Sequence, residues 1–427
     1  MAIRSRFKMF SDPVHGFVSV PKGLILDLVE TPEVQRLRRI RQLGLGHMVF
    51  PNAEHNRFGH ALGAMALIAD ALQHLSEKGT PVSKKEAEAA MITALLHDVG
   101  HGPFSHTLEH VLFADFHHEQ MSRAVMADLN DRFSGRLQRA LDIFDDCYER
   151  PFFHQLIASQ LDMDRLDYLR RDSFFTGVAE GVVGVERIIK TMRVHPLEGG
   201  INALLMIERK GQYAVENYLI ARRLMYWQVY LHKTVIAADI ALKSVIEYAR
   251  RLALKPASPA FAFFLGQRLS GKDVADPNVR RQFCALDDTD VEFSIKAWAR
   301  DHDPILSDLA DRFLNRRLLR VQFGEQPPSE TILRKIRTRV IDWLTKTKRL
   351  SVTEAENVLP FYFEHTSVRV KGYGKVTDTI QVVDRYDRVM ELSAVADNAI
   401  IRALAEPQEK WYIAFPKEVE VGDVWMS

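Results

Sequence analysis

His97 and Asp98 stand side by side near the end of a predicted helix, and together they offer an imidazole nitrogen and a carboxylate oxygen to one metal ion. These ligand types suit divalent ions such as Mn, Fe, Zn or Mg, and the absence of cysteine ligands disfavours a structural zinc site. His101 and His106 follow closely in the sequence. Gly100 and Gly102 are expected to let the backbone turn so that both histidines face one cleft. One histidine at a helix end is favoured by the helix dipole alone, but the whole segment predicts a metal site.

Two further segments supply residues of the same kind. Residues 56–60 precede an apolar helix over residues 61–72, which puts His60 on its first turn. Asp164, Tyr168 and Asp172 recur at four-residue spacing, so a helix would align them on one face. Taken alone, this alternation of charge is typical of a solvated helix face with ion pairs.

The elements that must position these residues are mainly helical. A helix start at residues 31–33 and a capping box of Ser83 with Glu86 are followed by helical patterns over residues 155–171 and 211–251. After about residue 252 the chain becomes richer in Pro and Gly. It continues with a basic helical segment over 312–320, a second basic helix after residue 329, and short strands over 361–365, 367–371 and 410–415. We therefore expect a helical domain over residues 1–250 and a smaller α+β region over residues 251–427.

Composition excludes several classes of protein. The 427 residues carry 57 Lys+Arg against 56 Asp+Glu, and 47% are hydrophobic, which is typical of a globular protein. The net charge of +1 gives no general attraction to nucleic acid or anionic lipid, and no apolar run is long enough to span a bilayer. Two cysteines cannot make a disulfide framework, and the N-terminus does not have the pattern of a signal peptide. We expect a cytoplasmic protein without a membrane partner, and nothing favours a nucleic-acid partner.

In combination, His60, His97-Asp98 and Asp164 resemble the metal ligands of the HD-domain phosphohydrolases. More narrowly, the chain resembles the deoxynucleoside triphosphate triphosphohydrolases, which include bacterial dNTPases and a vertebrate relative with a sterile-alpha-motif domain. The resemblance spans roughly residues 9–250 in ordered blocks: residues 12–16, 31–38, 42–44, 50–51, 55–58, the His-Asp segment and 164–172. It implies a mainly α fold, with a helical HD-domain core and a smaller α+β C-terminal region.

The resemblance also implies a reaction and catalytic roles. A metal-activated water would attack the α-phosphate of a dNTP and release a deoxynucleoside and inorganic triphosphate. His101 and His118 match the family's phosphate-facing histidines, and either could protonate the leaving oxygen. Glu109 stands where the family has an acid that orients the second histidine, and His106 would contact the phosphate chain.

Substrate-binding positions follow from the same resemblance. Three cations would grip the triphosphate, and five residues would form the sugar and base pocket, where exclusion of a 2′-hydroxyl would favour deoxyribose. The cations are Arg57, Arg165 and Arg222; the pocket residues are Gln42, Leu43, Tyr168, Asp172 and Tyr230. Tyr226, on the same predicted helix face as Arg222, is expected to take part in ordinary aromatic packing.

Regulation by a second nucleotide is a further implication. Family members are often oligomers activated by a nucleotide held between subunits, so the resemblance implies a homo-oligomer, dimer or tetramer, with GTP or a dNTP as activator. The matching positions are Glu30, Gln35, Arg38, Arg316 and Arg320. Arginine-rich helix faces are, however, usually only solvated.

Two other functions compete with this interpretation. The chain could be an HD-domain phosphodiesterase or phosphatase acting on other nucleotides, although a diester would need fewer cations than the three arginines supply. It could instead be a catalytically silent nucleotide-sensing module, although all the metal-ligating positions are filled. The sequence does not identify the native metal, the preferred base or the biological purpose.

Overall fold

The computed structural model describes residues 6–196, 203–370, 373, 379–396, 404 and 406–422, and within them the fold is mainly α, as predicted. The α-helices are α1 (Leu24–Val29), α2 (Pro32–Arg36), α3 (Arg57–Glu77), α4 (Lys84–Leu96), α5 (His106–Leu112), α6 (His118–Arg132), α7 (Gln138–Phe144), α8 (Phe152–Gln155), α9 (Met163–Thr176), α10 (Val185–Thr191), α11 (Gln212–Met225), α12 (Lys233–Arg251), α13 (Pro259–Leu265), α14 (Pro277–Cys284), α15 (Asp288–Trp298), α16 (Pro304–Leu314), α17 (Glu330–Lys348), α18 (Val352–Val358) and α19 (Leu392–Val395). A π-helical segment, Tyr226–Tyr230, continues α11. No helix in the described part of the chain is both long and apolar enough to cross a membrane.

The strands of the described residues form four small sheets. They are β1 (Phe7–Asp12), β2 (Gly16–Pro21), β3 (Phe113–Ala114), β4 (Met192–Pro196), β5 (Ala203–Glu208), β6 (Leu269–Ser270), β7 (Arg320–Gly324), β8 (Glu364–Val370), β9 (Gln381–Val383), β10 (Val389–Glu391) and β11 (Gln408–Phe415). β1 and β2 form an antiparallel hairpin, and β3 pairs in parallel with β6. The larger sheets have the strand orders β10-β9-β5-β4 and β7-β11-β8.

Side-chain caps fix the starts of the three helices that carry the predicted metal-ligating residues. The side chain of Asn56 accepts a hydrogen bond from the backbone of Gly59 at the start of α3, and Asp162 does the same for Arg165 at the start of α9. The predicted capping box of Ser83 is present at the start of α4. These caps determine where each first turn begins, and therefore where its side chains point.

One hydrophobic core runs through the molecule. α3, α4 and α9 contribute fully buried side chains such as Ile68, Leu95 and Leu166, and the same cluster includes Ile336 of α17 and Ile413 of β11. Burial of large aliphatic side chains is the dominant favourable term in folding. The division at residue 250 stays a prediction.

Several predicted elements differ from the structure. The expected helix over 155–171 is interrupted, because α8 ends at Gln155 and α9 begins only at Met163. The basic segment over 312–320 is not one helix: α16 ends at Leu314, Arg316 has a positive φ of 54°, and β7 starts at Arg320. The strand expected from residue 361 begins at Glu364, and the N-terminal hairpin was not predicted.

Candidate active site

Four side chains from α3, the end of α4 and α9 converge. Nε2 of His60 lies 3.0 Å from Oδ1 of Asp164, and Nε2 of His97 lies 3.4 Å from the same oxygen and 3.4 Å from Oδ1 of Asp98. One potential ligand atom from each of these four residues lies within 4.8 Å of the others. We call this group the metal cluster.

The chemistry of the metal cluster fits a divalent cation. Nε2 of His60 and Nε2 of His97 are buried and have no hydrogen-bond partner among the described residues. Their Nδ1 atoms face acceptors instead, at Oδ2 of Asp167 (2.8 Å) and the carbonyl of Ala94 (2.7 Å). A ring that donates from Nδ1 presents its Nε2 lone pair as a ligand, so two imidazoles and two carboxylates are available to one ion.

The pKa values of the metal cluster show how strongly it favours positive charge. Burial lowers the pKa of His60, but the neighbouring carboxylates of Asp164 and Asp167 outweigh burial and raise the pKa to about 10. Burial likewise opposes charge on His97, while Asp98 and Asp164 raise its pKa to about 9. A cation bound between the carboxylates would provide the positive charge that they otherwise draw from protons.

A second group of histidines adjoins the metal cluster. The rings of His101 and His118 lie 3.7 Å apart between centroids, and His106 lies 5.2 Å and 5.3 Å from them. Nδ1 of His101 donates to the carbonyl of Asp98 (3.3 Å), and its Nε2 is buried without a partner among the described residues. Burial, followed by the charge of Arg57, lowers the pKa of His101 well below its ordinary value.

Glu109 bridges two of these histidines. Its Oε2 accepts from Nδ1 of His106 (2.9 Å), and its Oε1 accepts from the backbone N–H of His118 (3.0 Å) and lies 3.6 Å from Nδ1 of that ring. Burial raises the pKa of Glu109, but the contacts with the two histidines have the larger, opposite effect. The pKa of Glu109 therefore lies below its ordinary value. The family resemblance pairs Glu109 with His118. In the structure, however, the carboxylate of Glu109 lies closer to the imidazole ring of His106 than to that of His118.

The backbone of the His-Asp segment turns at an unexpected place. Phe104 and Ser105 have positive φ angles of 52° and 50°, whereas neither of the two glycines before them does. Gly100 is required for another reason, since a Cβ there would lie 2.2 Å from the backbone nitrogen of Ser122. The buried Arg36 supports the segment by donating to the carbonyls of residues 99, 101 and 286.

A cavity of about 410 Å³ opens beside both groups. All nine residues predicted to bind substrate line this cavity, together with Asp98, Asp164, His101 and His118. The nine are Gln42, Leu43, Arg57, His106, Arg165, Tyr168, Asp172, Arg222 and Tyr230. His60 and His97 lie behind the wall, as does Glu109.

The three arginines are held by acceptors at the wall of the cavity. Arg57 donates from Nη1 to Oδ2 of Asp98 (2.5 Å) and from Nε to Ser105 (2.9 Å). Arg165 donates to Asp162, and Arg222 donates from Nη1 to Oε1 of Gln160 (2.9 Å). Nε of Arg222 is buried without a partner among the described residues.

Asp172 and its partners form a polar wall in the same cavity. Its Oδ2 accepts from the hydroxyl of Tyr230 (2.8 Å), and its Oδ1 lies 2.7 Å from Nε2 of His55. Burial, followed by the Asp172 carboxylate, raises the pKa of Tyr230 well above its ordinary value, so the phenol stays protonated. Tyr168 packs edge-on against Tyr230, with ring centroids 6.2 Å apart.

Some residues of the cavity wall were not predicted. Thr107 donates to Oδ1 of Asp239 (2.7 Å), and burial raises the pKa of Asp239 to about 6. A lone acid in the apolar run of α12 was the available signal. Tyr226 packs edge-on against Tyr230, as expected, and also lines the cavity.

The five positions assigned to an activating nucleotide lie outside this cavity. Arg38 donates from Nε to Oε1 of Gln35 (2.9 Å), and its guanidinium carbon lies 3.6 Å from the centroid of the Phe58 ring. Glu30 is exposed, 3.9 Å from Nζ of Lys8. The hydrogen bond between Gln35 and Arg38 places these two side chains next to each other.

The other two of these positions are on the C-terminal side of the chain. Arg316 and Arg320 are exposed, and Nε of Arg316 donates to the carbonyl of Met48 (2.7 Å). No hydrogen bond or ion pair in the described part of the chain joins them to Gln35 or Arg38.

Comparison with known proteins is consistent with this geometry. A family model described as "HD domain" matches residues 57–169. An uncharacterized Bacillus subtilis protein, YwfO, is 36% identical over 76% of this chain and 74% of its own. The crystal structure of a phosphohydrolase from Bacteroides thetaiotaomicron superposes with a TM-score of 0.88 at 39% identity, covering 96% of this chain and 99% of that one. The Dictyostelium discoideum homolog of the deoxynucleoside triphosphate triphosphohydrolase SAMHD1 is 29% identical over 54% of this chain and 47% of its own.

The chain therefore belongs to the HD-domain family of phosphohydrolases. Family and fold support a metal-dependent hydrolase.

Proposed function

We propose that the protein hydrolyses deoxynucleoside triphosphates to deoxynucleosides and inorganic triphosphate. The observation that carries this proposal is the single cavity in which two carboxylates of the metal cluster, three arginines and the Asp172–Tyr230 wall meet. A cation-rich end suits a polyphosphate, and a wall of hydroxyl and carboxylate groups suits a sugar.

The metal cluster is the proposed reaction centre. His60, His97, Asp98 and Asp164 would hold one divalent cation. When bound, such an ion supplies Lewis acidity to a phosphate oxygen and makes water a nucleophile at neutral pH. The oxygen of water adds to the α-phosphorus, the bond from phosphorus to the 5′-oxygen breaks, and the departing 5′-oxygen needs a proton.

The arginines favour a triphosphate over a monophosphate. Arg57, Arg165 and Arg222 all line the cavity, and the unpaired Nε of Arg222 is available to a phosphate oxygen. Guanidinium groups bind phosphate through paired hydrogen bonds, and three of them match a highly charged chain.

Proton donation to the 5′-oxygen is assigned to His106 with Glu109. Oε2 of Glu109 accepts from Nδ1 of His106, so this carboxylate would fix the ring at the cavity wall and balance its charge when the ring carries both protons. His101 is held in the opposite state, because Nδ1 donates to a carbonyl and Nε2 presents a lone pair. His101 thus suits proton acceptance, and His118 remains the alternative donor because Glu109 also lies beside its ring.

The sugar end would exclude ribose. Asp172 is held by Tyr230 and His55, which leaves a fixed wall beside Tyr168 for a 3′-hydroxyl. Leu43 also lines the cavity and adds apolar bulk. A site that leaves no partner for a 2′-hydroxyl rejects it by desolvation as well as by shape.

Activation by a nucleotide and assembly into a homo-oligomer remain proposals. Glu30, the adjacent Gln35 and Arg38, and the exposed Arg316 and Arg320 are the side chains that such a nucleotide would contact. In the proposed oligomer this nucleotide would be held between subunits.

Product analysis by chromatography tests the proposal. All four dNTPs and GTP would be incubated singly and in mixtures with the protein and Mn²⁺ or Mg²⁺. We expect deoxynucleoside and intact triphosphate as products, and turnover only in mixtures would reveal an activating nucleotide. Monophosphate, diphosphate or no product from any dNTP would refute the proposal, and cyclic nucleotides would then be tested.

A further inference from the structure

A buried carboxylate behind the metal cluster is saturated with hydrogen-bond donors. Oδ2 of Asp167, on α9, lies 2.8 Å from Nδ1 of His60, and its Oδ1 lies 2.6 Å from Nε2 of His15. Arg171 completes the set, with Nε 2.8 Å from Oδ2 and Nη2 3.0 Å from Oδ1. Asp167 is 0% exposed, so none of these donors competes with water.

The same contacts lead to the turn of the N-terminal hairpin. Arg171 donates from Nη1 to Oδ2 of Asp12 (2.8 Å), and Oδ1 of Asp12 accepts from the backbone N–H groups of Val14 and His15 (2.9 Å each). Residues 12–16 are one of the blocks on which the family resemblance rests, and they had no assigned role. In the structure this block contacts the carboxylate that is hydrogen-bonded to a proposed metal ligand.

α3 leaves space for this arrangement. A Cβ at Gly63 would lie 1.9 Å from Oδ1 of Asp167 and 2.5 Å from Nη2 of Arg171. A side chain at this position would displace the carboxylate from between the two histidines. Gly63 lies one turn after His60, so the helix that presents the ligand also makes room for the group behind it.

We propose that Asp167 is the positioning residue of the metal cluster, and that His15 and Arg171 hold its carboxylate so that His60 presents Nε2 to the cation. The inference rests on the proposed metal site. Because Asp167 accepts from Nδ1, the ring of His60 is fixed in rotation and in tautomer, and loss of such a partner typically weakens metal binding about 10–100-fold. The hairpin thereby becomes part of the metal centre.

Mn²⁺ affinity of the nucleotide-free, full-length protein, read from the electron paramagnetic resonance signal of free Mn²⁺, tests this role. We expect Asp167→Asn to weaken binding about 10–100-fold. His15→Leu should also weaken it, whereas His15→Gln, whose amide can still donate to Oδ1, should restore much of the affinity. The matched control is Asp308→Asn, because Asp308 is a buried acid paired with Arg312 four residues later in α16 and belongs to neither site.

A purely structural role predicts a different result. If Asp167→Asn lowers the melting temperature but binds Mn²⁺ like the wild type, or if Asp308→Asn loses as much affinity, the proposal is wrong. If Asp167→Asn does not fold, equal affinities of His15→Leu and the wild type refute it. Absence of Mn²⁺ binding by the wild type would overturn the metal site and this inference together. The binding measurement contains no nucleotide. Weaker Mn²⁺ binding by Asp167→Asn would therefore support this inference even if the protein did not hydrolyse dNTPs.

Discussion

Replacing Glu109 by glutamine tests the assignment of the proton donor. The two oxygens of Glu109 accept from Nδ1 of His106 and from the backbone N–H of His118. A glutamine has one acceptor and one donor group, so if its oxygen keeps the backbone contact, its NH₂ faces His106. Nδ1 must then accept, the ring proton moves to Nε2, and the charged imidazolium is no longer stabilised. A general acid contributes about 10²–10⁴-fold, so kcat should fall by that factor, equivalent to about 2.7–5.4 kcal/mol.

The assay compares a dNTP with its 5′-thio analogue, in which sulfur bridges the sugar and the α-phosphorus. A thiolate leaves without a proton because thiols have pKa values of about 8.5, so Glu109→Gln should turn over the analogue at a rate close to that of the wild type. Glu119→Gln is the control: Glu119 lies 3.6 Å from Nε2 of His118 but has a 61% exposed side chain. Exposed pairs contribute about 0.2–1 kcal/mol, so the control should lose at most about fivefold. An equal loss on both substrates in Glu109→Gln would refute the reasoning.

Four further expectations concern the metal and the substrate. Asp164→Ala should lose bound metal and dNTP turnover together, as measured by elemental analysis and chromatography; an active variant would contradict the metal cluster. Removal of metal with a chelator should lower the melting temperature of the wild type, since a ligand at a hundredfold excess over its Kd stabilises by about 2.7 kcal/mol, and it should not shift that of Asp164→Ala. Arg165→Ala should lower kcat/KM for dNTPs by about 10–100-fold, the value of a hydrogen bond to a charged group, and unchanged kinetics would remove Arg165 from the phosphate site. Tyr230→Phe removes the hydroxyl that donates to Asp172, so the ratio of kcat/KM for a dNTP over its ribonucleotide should fall by about tenfold, and a constant ratio would exclude this wall from sugar selection.

The position of the metal cluster could be predicted because its members lie at helix ends that the sequence marks. Asn56 caps the helix that carries His60, and the capping box of Ser83 starts the helix that ends at His97. Asp162 caps the helix that places Asp164 in its first turn. Cap residues act over three or four positions, so their effect is visible in the sequence itself.

The interrupted helix before Asp162 shows the limit of periodicity. The carboxylate of Asp162 accepts from the backbone N–H groups of Ser159 and Arg165. A side chain that satisfies backbone donors locally competes with helix formation, so the segment between α8 and α9 is not helical despite its apolar spacing. The helix expected across the basic segment ends at Leu314, because Arg316 has a positive φ there, and Arg317 turns back to pair with Asp308 and Asp311 of α16.

Contacts between distant residues were beyond prediction for another reason. His15 and Asp167 are 152 residues apart, and Thr107 and Asp239 are 132 apart. Each member has an ordinary local role, as a turn residue, a helix-face acid or a helix-start threonine. Only the packing of the hairpin and of α5 and α12 around the core brings them together.

The unpaired polar atoms at the cavity indicate what the site is built to receive. Among the described residues, Oε1 of Gln42, Nε2 of His101 and Nε of Arg222 are buried without hydrogen-bond partners. A buried polar atom that lacks every partner costs about 1–3 kcal/mol, so a ligand that supplies the missing partners gains binding free energy. A ligand that recovers this cost must bring an acceptor to Arg222 and donors to Gln42 and His101. The proposed substrate, a nucleoside triphosphate with its attacking water, would do so, because phosphate oxygens accept while a sugar hydroxyl and a water molecule donate.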